Sequence, residues 1–471
     1  MKVLFFLIFV SLYVGCTVGP EYKPVKLNFP NKWYPKKMER GITESKNLDI
    51  QEIAMWWKKL KDPELCKLIN MSIKGNLELK EALARLKEAR ALRAMSKAKL
   101  FPYIDIGASA TRQRISETGK TTELYSLSID SSWEADIFGG IRRSIQEAEA
   151  KLEAAKENIK DVLVSLTAEV AINYIELCTY QARLKAVKAN AKAQAEIYKL
   201  NLSRYKAGLI DELYVQQSKY ILESTKSQIP SLQEEIEKAK NRIAVLLGKR
   251  PGDLDTELRN SKPIPLPPIK VVIGIPADTL RNRPDIRRAE MNLIAATAAV
   301  GSAKAELYPK FTLSGSIGLE SISKGDLFEW ASRTWHIATS ITWKIFHAGE
   351  LRQNIKLYTA RQEQAFIQYQ NLVLEALEEV RNAIIAYIKE QKRCYLLTKA
   401  VNAAKKTYEL AIDRYKAGLV DFNNVLDAER SLQSLQDQLA QSKGRVITNL
   451  IRLYKALGGG WQSWKIRSIK K

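Results

Sequence analysis

The octapeptide Arg204-Tyr205-Lys206-Ala207-Gly208-Leu209-Ile210-Asp211 returns as Arg414-Tyr415-Lys416-Ala417-Gly418-Leu419-Val420-Asp421, identical at seven of eight positions and displaced by 414 − 204 = 210 residues. Leu100-Phe101-Pro102-Tyr103 is answered 207 residues later by Leu307-Tyr308-Pro309-Lys310, and Trp133 with Ile137-Phe138 by Trp343 with Ile345-Phe346. The chain is two copies of one unit, so both copies must accept the same local structure.

Within each copy the hydrophobic period changes from helical to alternating and back. Copy one opens with a helical stretch from about Glu64 to Leu100, with Leu79, Leu83, Leu86 and Ala89 on one face, and Pro102 ends it. Residues 103–110 and 124–134 then alternate: Leu127, Ile129 and Trp133 oppose Ser126, Ser128, Asp130, Ser132 and Glu134. A polar loop containing Gly119 joins the two as a hairpin. Copy two repeats the alternation, with Phe311, Leu313, Ile317 and Leu319, then Trp335, Ile337, Ile341, Trp343 and Ile345, on the apolar side. Each strand has the length of a tilted transmembrane strand, and aromatic residues lie near the strand ends. A soluble sandwich with one wet face would alternate in the same way. Four strands do not close a barrel, since the smallest transmembrane barrels take about eight, and an open edge cannot face lipid. If these strands cross a membrane, several protomers contribute to one shared barrel.

After each hairpin comes a helix of unusual length. From Ile141 the apolar positions Ile145, Ala148, Leu152, Ala155, Ile159, Val162 and Leu166 form a heptad stripe, and the pattern continues to about Tyr205. Glu350 to Lys416 makes a second such rod. At 1.5 Å per residue each is roughly 100 Å long. Both rods stop at Lys-Ala-Gly, where Gly208 and Gly418 supply the left-handed residue that closes a helix, and Asp211 and Asp421 are placed to cap the returning helices. Those run to about Gly248 and Gly458. Between the copies, Arg250 to Pro276 is an irregular connector rich in proline, including Pro263, Pro265, Pro267 and Pro268.

Lys2 followed by the apolar run Val3–Val14 and Gly15 reads as a secretory signal peptide, too short to span a bilayer. Gly15-Cys16 resembles the cleavage point of bacterial lipoproteins, although Tyr13 stands where those sequences usually carry Leu. That resemblance implies acylation of Cys16, and Thr17 in place of an Asp retention signal points to the outer membrane. Lys plus Arg number 75 against 52 Asp plus Glu, a net charge of +23. The lysines follow helical spacing, as at Lys185, Lys188, Lys192 and Lys199, which favours solvated helices over a nucleic-acid patch. Only His336 and His347, and scattered Cys66, Cys178 and Cys394, remain for a metal site or a Cys/His pair. No catalytic residue, metal or cofactor is expected beyond the lipid on Cys16, and an enzyme is not expected.

Taken together, these residues resemble the outer-membrane factors of tripartite efflux pumps, the TolC-like channels, in their lipoprotein branch. Cys16-Thr17-Val18-Gly19-Pro20-Glu21-Tyr22 is similar to that branch's mature N-terminus, and Trp57 with Asp62-Pro63-Glu64-Leu65, then Asn76-Leu77 with Ala82 and Ala89, to its opening helix. Most specific are Ile275-Pro276, Leu280, Arg283-Pro284-Asp285-Ile286, Ala289-Glu290 and Gly301 to Tyr308-Pro309. The resemblance implies a mainly α protomer of long coiled-coil helices that adds four transmembrane β-strands to a shared, twelve-stranded, homotrimeric barrel. It implies an outer-membrane exit duct, lipid-anchored and extending into the periplasm, with a periplasmic adaptor (membrane fusion) protein and an inner-membrane pump, RND-type or other, as partners. The layout expected is a signal peptide over 1–15, a lipid-anchored extended segment over 16–63, repeats at 64–248 and 277–458 flanking a connector at 249–276, and a basic tail at 459–471.

For the periplasmic gate, Val425-Leu426-Asp427-Ala428 resembles the family segment whose Asp lines the narrow entrance, and Tyr415 a tyrosine of the closing network. Asp421 and, less directly, Asp211 are further pore acids by the same logic. The plain alternatives are that Asp421 only caps its helix and that Asp427 pairs with Arg430 at i+3. A periplasmic coiled-coil or adaptor protein without a pore is the competing reading of the whole chain. It accounts for the heptads but not for the hairpins.

Overall fold

The computed structural model describes residues 17–25, 42–43, 53–114, 116–117, 119–260, 262–265, 267, 271–272 and 277–462. The signal peptide, Cys16 and Ile275-Pro276 lie outside the described residues, as does the tail from residue 463. Among the described residues, seven α-helices carry the copies: α1 (Pro63–Gly75), α2 (Leu77–Ala98), α3 (Gly140–Lys206), α4 (Glu212–Leu246), α5 (Pro284–Ala305), α6 (Glu350–Lys416) and α7 (Phe422–Ala456). The two long helices, α3 and α6, have 67 residues each, and α4 and α7 have 35 each.

The chain divides into two compact units, the first made of Met1–Leu27, Leu83–Asn158 and Asp285–Leu372. It holds an antiparallel sheet of β1 (Tyr103–Arg114), β2 (Thr121–Ala135), β3 (Lys310–Ser321) and β4 (Arg333–Thr342), in that order. In register, Ile106, Ile129, Ile317 and Trp335 form one apolar row across all four strands. This row is not core: Ile106 is 76% exposed, Ile317 65% and Trp335 74%. A soluble sandwich would bury such a face; a contiguous bare one belongs against lipid or another chain. Along β1 and β4 the outer backbone groups are unpaired within the sheet.

β1 extends four residues beyond the alternation at 103–110, because the polar run Thr111-Arg112-Gln113-Arg114 keeps its register against Leu124 to Thr121. β4 stops at Thr342, short of the expected Trp343 and Ile345. Trp343 instead turns its indole N–H to Leu307 O at 3.0 Å, and Trp133 makes the same bond to Leu100 O at 2.9 Å. Where β2 passes into α3, Asp136 accepts from the backbone N–H groups of Ile141 and Arg142, both at 2.9 Å, satisfying the start of the long helix.

The second unit comprises Asn28–Ala82, Ile159–Pro284 and Val373–Lys471. The helix expected from Glu64 to Leu100 is broken at Asn76, whose backbone leaves the helical region at ψ 133. Its amide nitrogen donates to Leu246 O at 2.9 Å, its amide oxygen accepts from Leu79 N at 2.9 Å, and a Cβ on Gly75 would fall on Leu247 O. The Asp-Pro-Glu-Leu motif is a cap: Asp62 accepts from Glu64 N and Leu65 N, and from the Tyr174 hydroxyl at 2.9 Å. Arg283 of the Arg-Pro-Asp motif is buried, donating to Glu379 Oε2 at 2.8 Å and to Ala456 O, the last carbonyl of α7, at 2.6 Å. Trp56 is buried and stacks on Tyr454 with centroids 5.7 Å apart.

Candidate gate at the helical turns

The repeated Lys-Ala-Gly sequence makes the same turn twice. At the end of α3, Gly208 adopts φ +71, Gly208 N donates to Tyr205 O at 2.9 Å and Leu209 N to Arg204 O at 2.9 Å. At the end of α6, Gly418 adopts φ +73, with Gly418 N to Tyr415 O at 3.0 Å and Leu419 N to Arg414 O at 2.9 Å. Only glycine takes this conformation without strain. Asp211 then caps α4 through Leu213 N at 2.9 Å, and Asp421 caps α7 through Asn423 N at 2.7 Å. Both turns leave a leucine bare, Leu209 at 72% and Leu419 at 74% exposure.

The two turns are bound to each other by polar contacts that the repeat does not duplicate. The Tyr214 hydroxyl donates to Asp421 Oδ2 at 2.7 Å, and Arg204 donates to Lys416 O at 3.1 Å while its guanidinium lies 5.1 Å from the Tyr415 ring centroid. Tyr415 is buried, and its hydroxyl donates to Asn201 Oδ1 at 2.9 Å. Beneath these contacts Ile221, Tyr415, Phe422, Val425 and Leu426 form one apolar cluster. Asn423 N–H and the Tyr214 hydroxyl together hold the Asp421 carboxyl below the usual carboxylate range.

Asp421 and Tyr415 are therefore brought into one network, whereas Asp211 serves its own helix. Asp427 lies exposed on α7 and makes no hydrogen bond or ion pair among the described residues, so the expected alternative pairing with Arg430 does not form. Sequence reading missed Tyr214, Asn201 and Arg204 as partners. A signal was present: Tyr214 corresponds to Asn424 at the offset of 210, a place where the copies part although their turns agree. Deeper in the same bundle, Glu429 is 5% exposed, and burial pushes its carboxyl up, against the opposing pull of Gln194 and Arg430.

With this geometry in view, the sequence matches the family described as outer membrane efflux protein over residues 68–249 and 275–459. The chain belongs to that family. Relatives similar to this efflux protein include Nodulation protein T of Rhizobium leguminosarum bv. trifolii, 31% identical over 465 residues and covering 96% of each chain. The solvent efflux pump outer membrane protein SrpC of Pseudomonas putida is 30% identical over 454 residues, 95% of this chain and 96% of its own. Among solved structures, the outer-membrane channel OprN superposes with TM-score 0.88 at 36% identity over 95% of this chain and 100% of its own. The outer membrane channel MtrE of Neisseria gonorrhoeae, in its open state, superposes at 0.80 with 28% identity over 95% and 99%. The efflux protein thus has the TolC-like channel fold, mostly helical with a four-stranded share of a barrel.

Proposed function

We propose that the chain is the outer-membrane exit duct of a tripartite efflux system, a passive channel without catalytic activity or cofactor, assembled as a homotrimer. The observation that carries this reading is the four-stranded sheet, with its bare apolar face and two unpaired edges. An adaptor or coiled-coil scaffold has no use for such a sheet; a barrel shared between protomers buries both edges and gives the apolar face to lipid. Strands of 10 to 15 residues are long enough to cross. Names of relatives that refer to solvent and toluene efflux support small organic molecules as cargo. Direction and energy come from an inner-membrane pump, RND-type or other, reached through a periplasmic adaptor. The bare Leu209 and Leu419 at the turns offer that adaptor an apolar contact.

In this reading Cys16 carries the lipid, and Asp427, recurring around the symmetry axis, forms an acidic ring at the periplasmic entrance. Asp421, Tyr415 and the contacts from Tyr214, Asn201 and Arg204 close the gate; Asp211 contributes as a cap. The decisive experiment is purification from outer membrane, followed by the mass of the detergent-solubilised oligomer and its conductance in a planar bilayer. A trimer that conducts is expected. A monomer recovered from the soluble periplasmic fraction would overturn the reading.

A further inference from the structure

The residues that follow Cys16 are docked against the start of α3. Val18 donates its backbone N–H to Phe138 O at 3.2 Å. Arg143, in the first turn of α3, is only 4% exposed. Its Nε donates to Val18 O at 3.1 Å, Nη2 to Gly19 O at 3.4 Å and Nη1 to Gln146 Oε1 at 2.9 Å. Among the described residues no carboxylate pairs with it. A guanidinium taken out of water without a counter-ion is tolerated only where its N–H groups are used, and here two of its three acceptors are carbonyls of the N-terminal segment.

Shape makes the same assignment. A Cβ on Gly139, just before α3, would lie 2.8 Å from Thr17 Cγ2, so Thr17 rests directly on the backbone there. Gly19 has φ +102, and a Cβ on it would fall on the Gly301 backbone in α5. Tyr22 completes the run, its hydroxyl donating to Glu290 Oε1 at 2.8 Å. The segment thus bridges α3 of copy one and α5 of copy two, and its upper end meets Phe138, three residues past the end of β2 at Ala135.

We infer that Thr17–Tyr22 is a strap that fixes the lipid-bearing end of the chain at the foot of the strand sheet, with Arg143 as its positioning residue. The inference rests on the proposed acylation of Cys16 for what the strap carries; its contacts begin at Thr17 and hold without lipid. Consecutive Cα atoms are about 3.8 Å apart, so the lipid attaches one residue from Thr17, which rests on Gly139 in the turn between β2 and α3. An undocked segment from Thr17 to Val25 would let the anchor range over roughly 30 Å. Docked, it holds the anchor beside the turn that leads out of the sheet.

Hydrogen–deuterium exchange of the full chain in detergent, read on the peptide holding Val18, tests this. Arg143→Met and, independently, Gly19→Ala should each raise exchange in that peptide at least tenfold while β2 and α5 keep their protection, and Arg143→Lys should restore part of it. If Arg143→Met also loosens the sheet, Gly19→Ala decides, because its change lies in the strap. A folded Gly19→Ala variant whose strap stays protected overturns the proposal. Cys16→Ala should leave the strap protected, and the mass of the N-terminal peptide reports acylation separately. An unmodified Cys16 with a protected strap refutes the lipid and keeps the strap; an acylated Cys16 with an unprotected wild-type strap refutes the strap.

Discussion

The Tyr214 hydroxyl donates to Asp421 Oδ2 at 2.7 Å, tying the turn of the first copy to the turn of the second. Tyr214→Phe removes this bond and leaves the ring packed edge-on against Phe422. A single exposed hydrogen bond contributes modestly, so the expected result is a rise of roughly fivefold in the frequency of open events in planar bilayers, with folding unchanged. The depressed Asp421 carboxyl sets the pH window. Stability contributed by a lowered carboxyl is present above its unfolded value and lost as pH falls through its folded one, so the latch should hold from neutral pH down to about 4. Equal opening in variant and wild type across that range would remove Tyr214 from the gate.

Asp427 is exposed and without a local partner, which leaves its charge free to act on ions. Carboxylates brought close by symmetry favour cations and bind multivalent ones as plugs. Asp427→Ala should lower cation selectivity and weaken block by trivalent cations by roughly tenfold, read as single-channel current. Wild-type selectivity and block in that variant would place Asp427 outside the pore.

Glu429 carries the opposite pH signature. Its carboxyl is raised by burial, so the folded chain holds the proton more tightly than the unfolded chain. The stability it contributes is complete below the unfolded value of about 4.3 and declines as pH rises through the folded value. Glu429→Gln should remove that component, so that the variant gains Tm over wild type as pH climbs above about 4.3. Parallel Tm curves for the two proteins would show that the folded chain holds the Glu429 proton no more tightly than the unfolded chain.

Arg283 closes the carbonyl end of α7 and pairs with Glu379. Arg283→Ala should cost about 2 kcal/mol, since its charged hydrogen bonds to the buried Ala456 carbonyl and to the half-exposed Glu379 are lost together. Thermal unfolding followed by helical circular dichroism measures it, and a loss within error of zero would reduce the Arg-Pro-Asp motif to a helix start.

What the sequence made legible follows from where the determinants lie. The ends of α3 and α6 could be read because Lys-Ala-Gly acts on its own backbone, and the Asp211 and Asp421 caps because a cap is two or three residues long. The break at Asn76 could not, since asparagine is tolerated in helices and the carbonyl that draws it out belongs to Leu246. The full length of β1 was hidden for a similar reason: Thr111 to Arg114 carry no alternation and are strand only because Thr121 to Leu124 pair with them. At the helical turns, Asp421 and Tyr415 stand in the repeated octapeptide, whereas Tyr214 and Asn201 join them through contacts 207 and 214 residues away in sequence.

The free edges of the sheet, β1 and β4, come from opposite copies, and so do the strands of its central pair, β2 and β3. Joining β4 of one chain to β1 of the next therefore repeats a relation each chain already makes with itself: the last strand of one hairpin beside the first strand of another. To the backbone, the border between two polypeptides is one more border between repeats. Covalent connectivity then becomes secondary to the order of hairpins around the ring. A chain severed in its connector, or circularly permuted to start at the second copy, should present the same edges and close the same cylinder, as the mass of its detergent-solubilised oligomer would show.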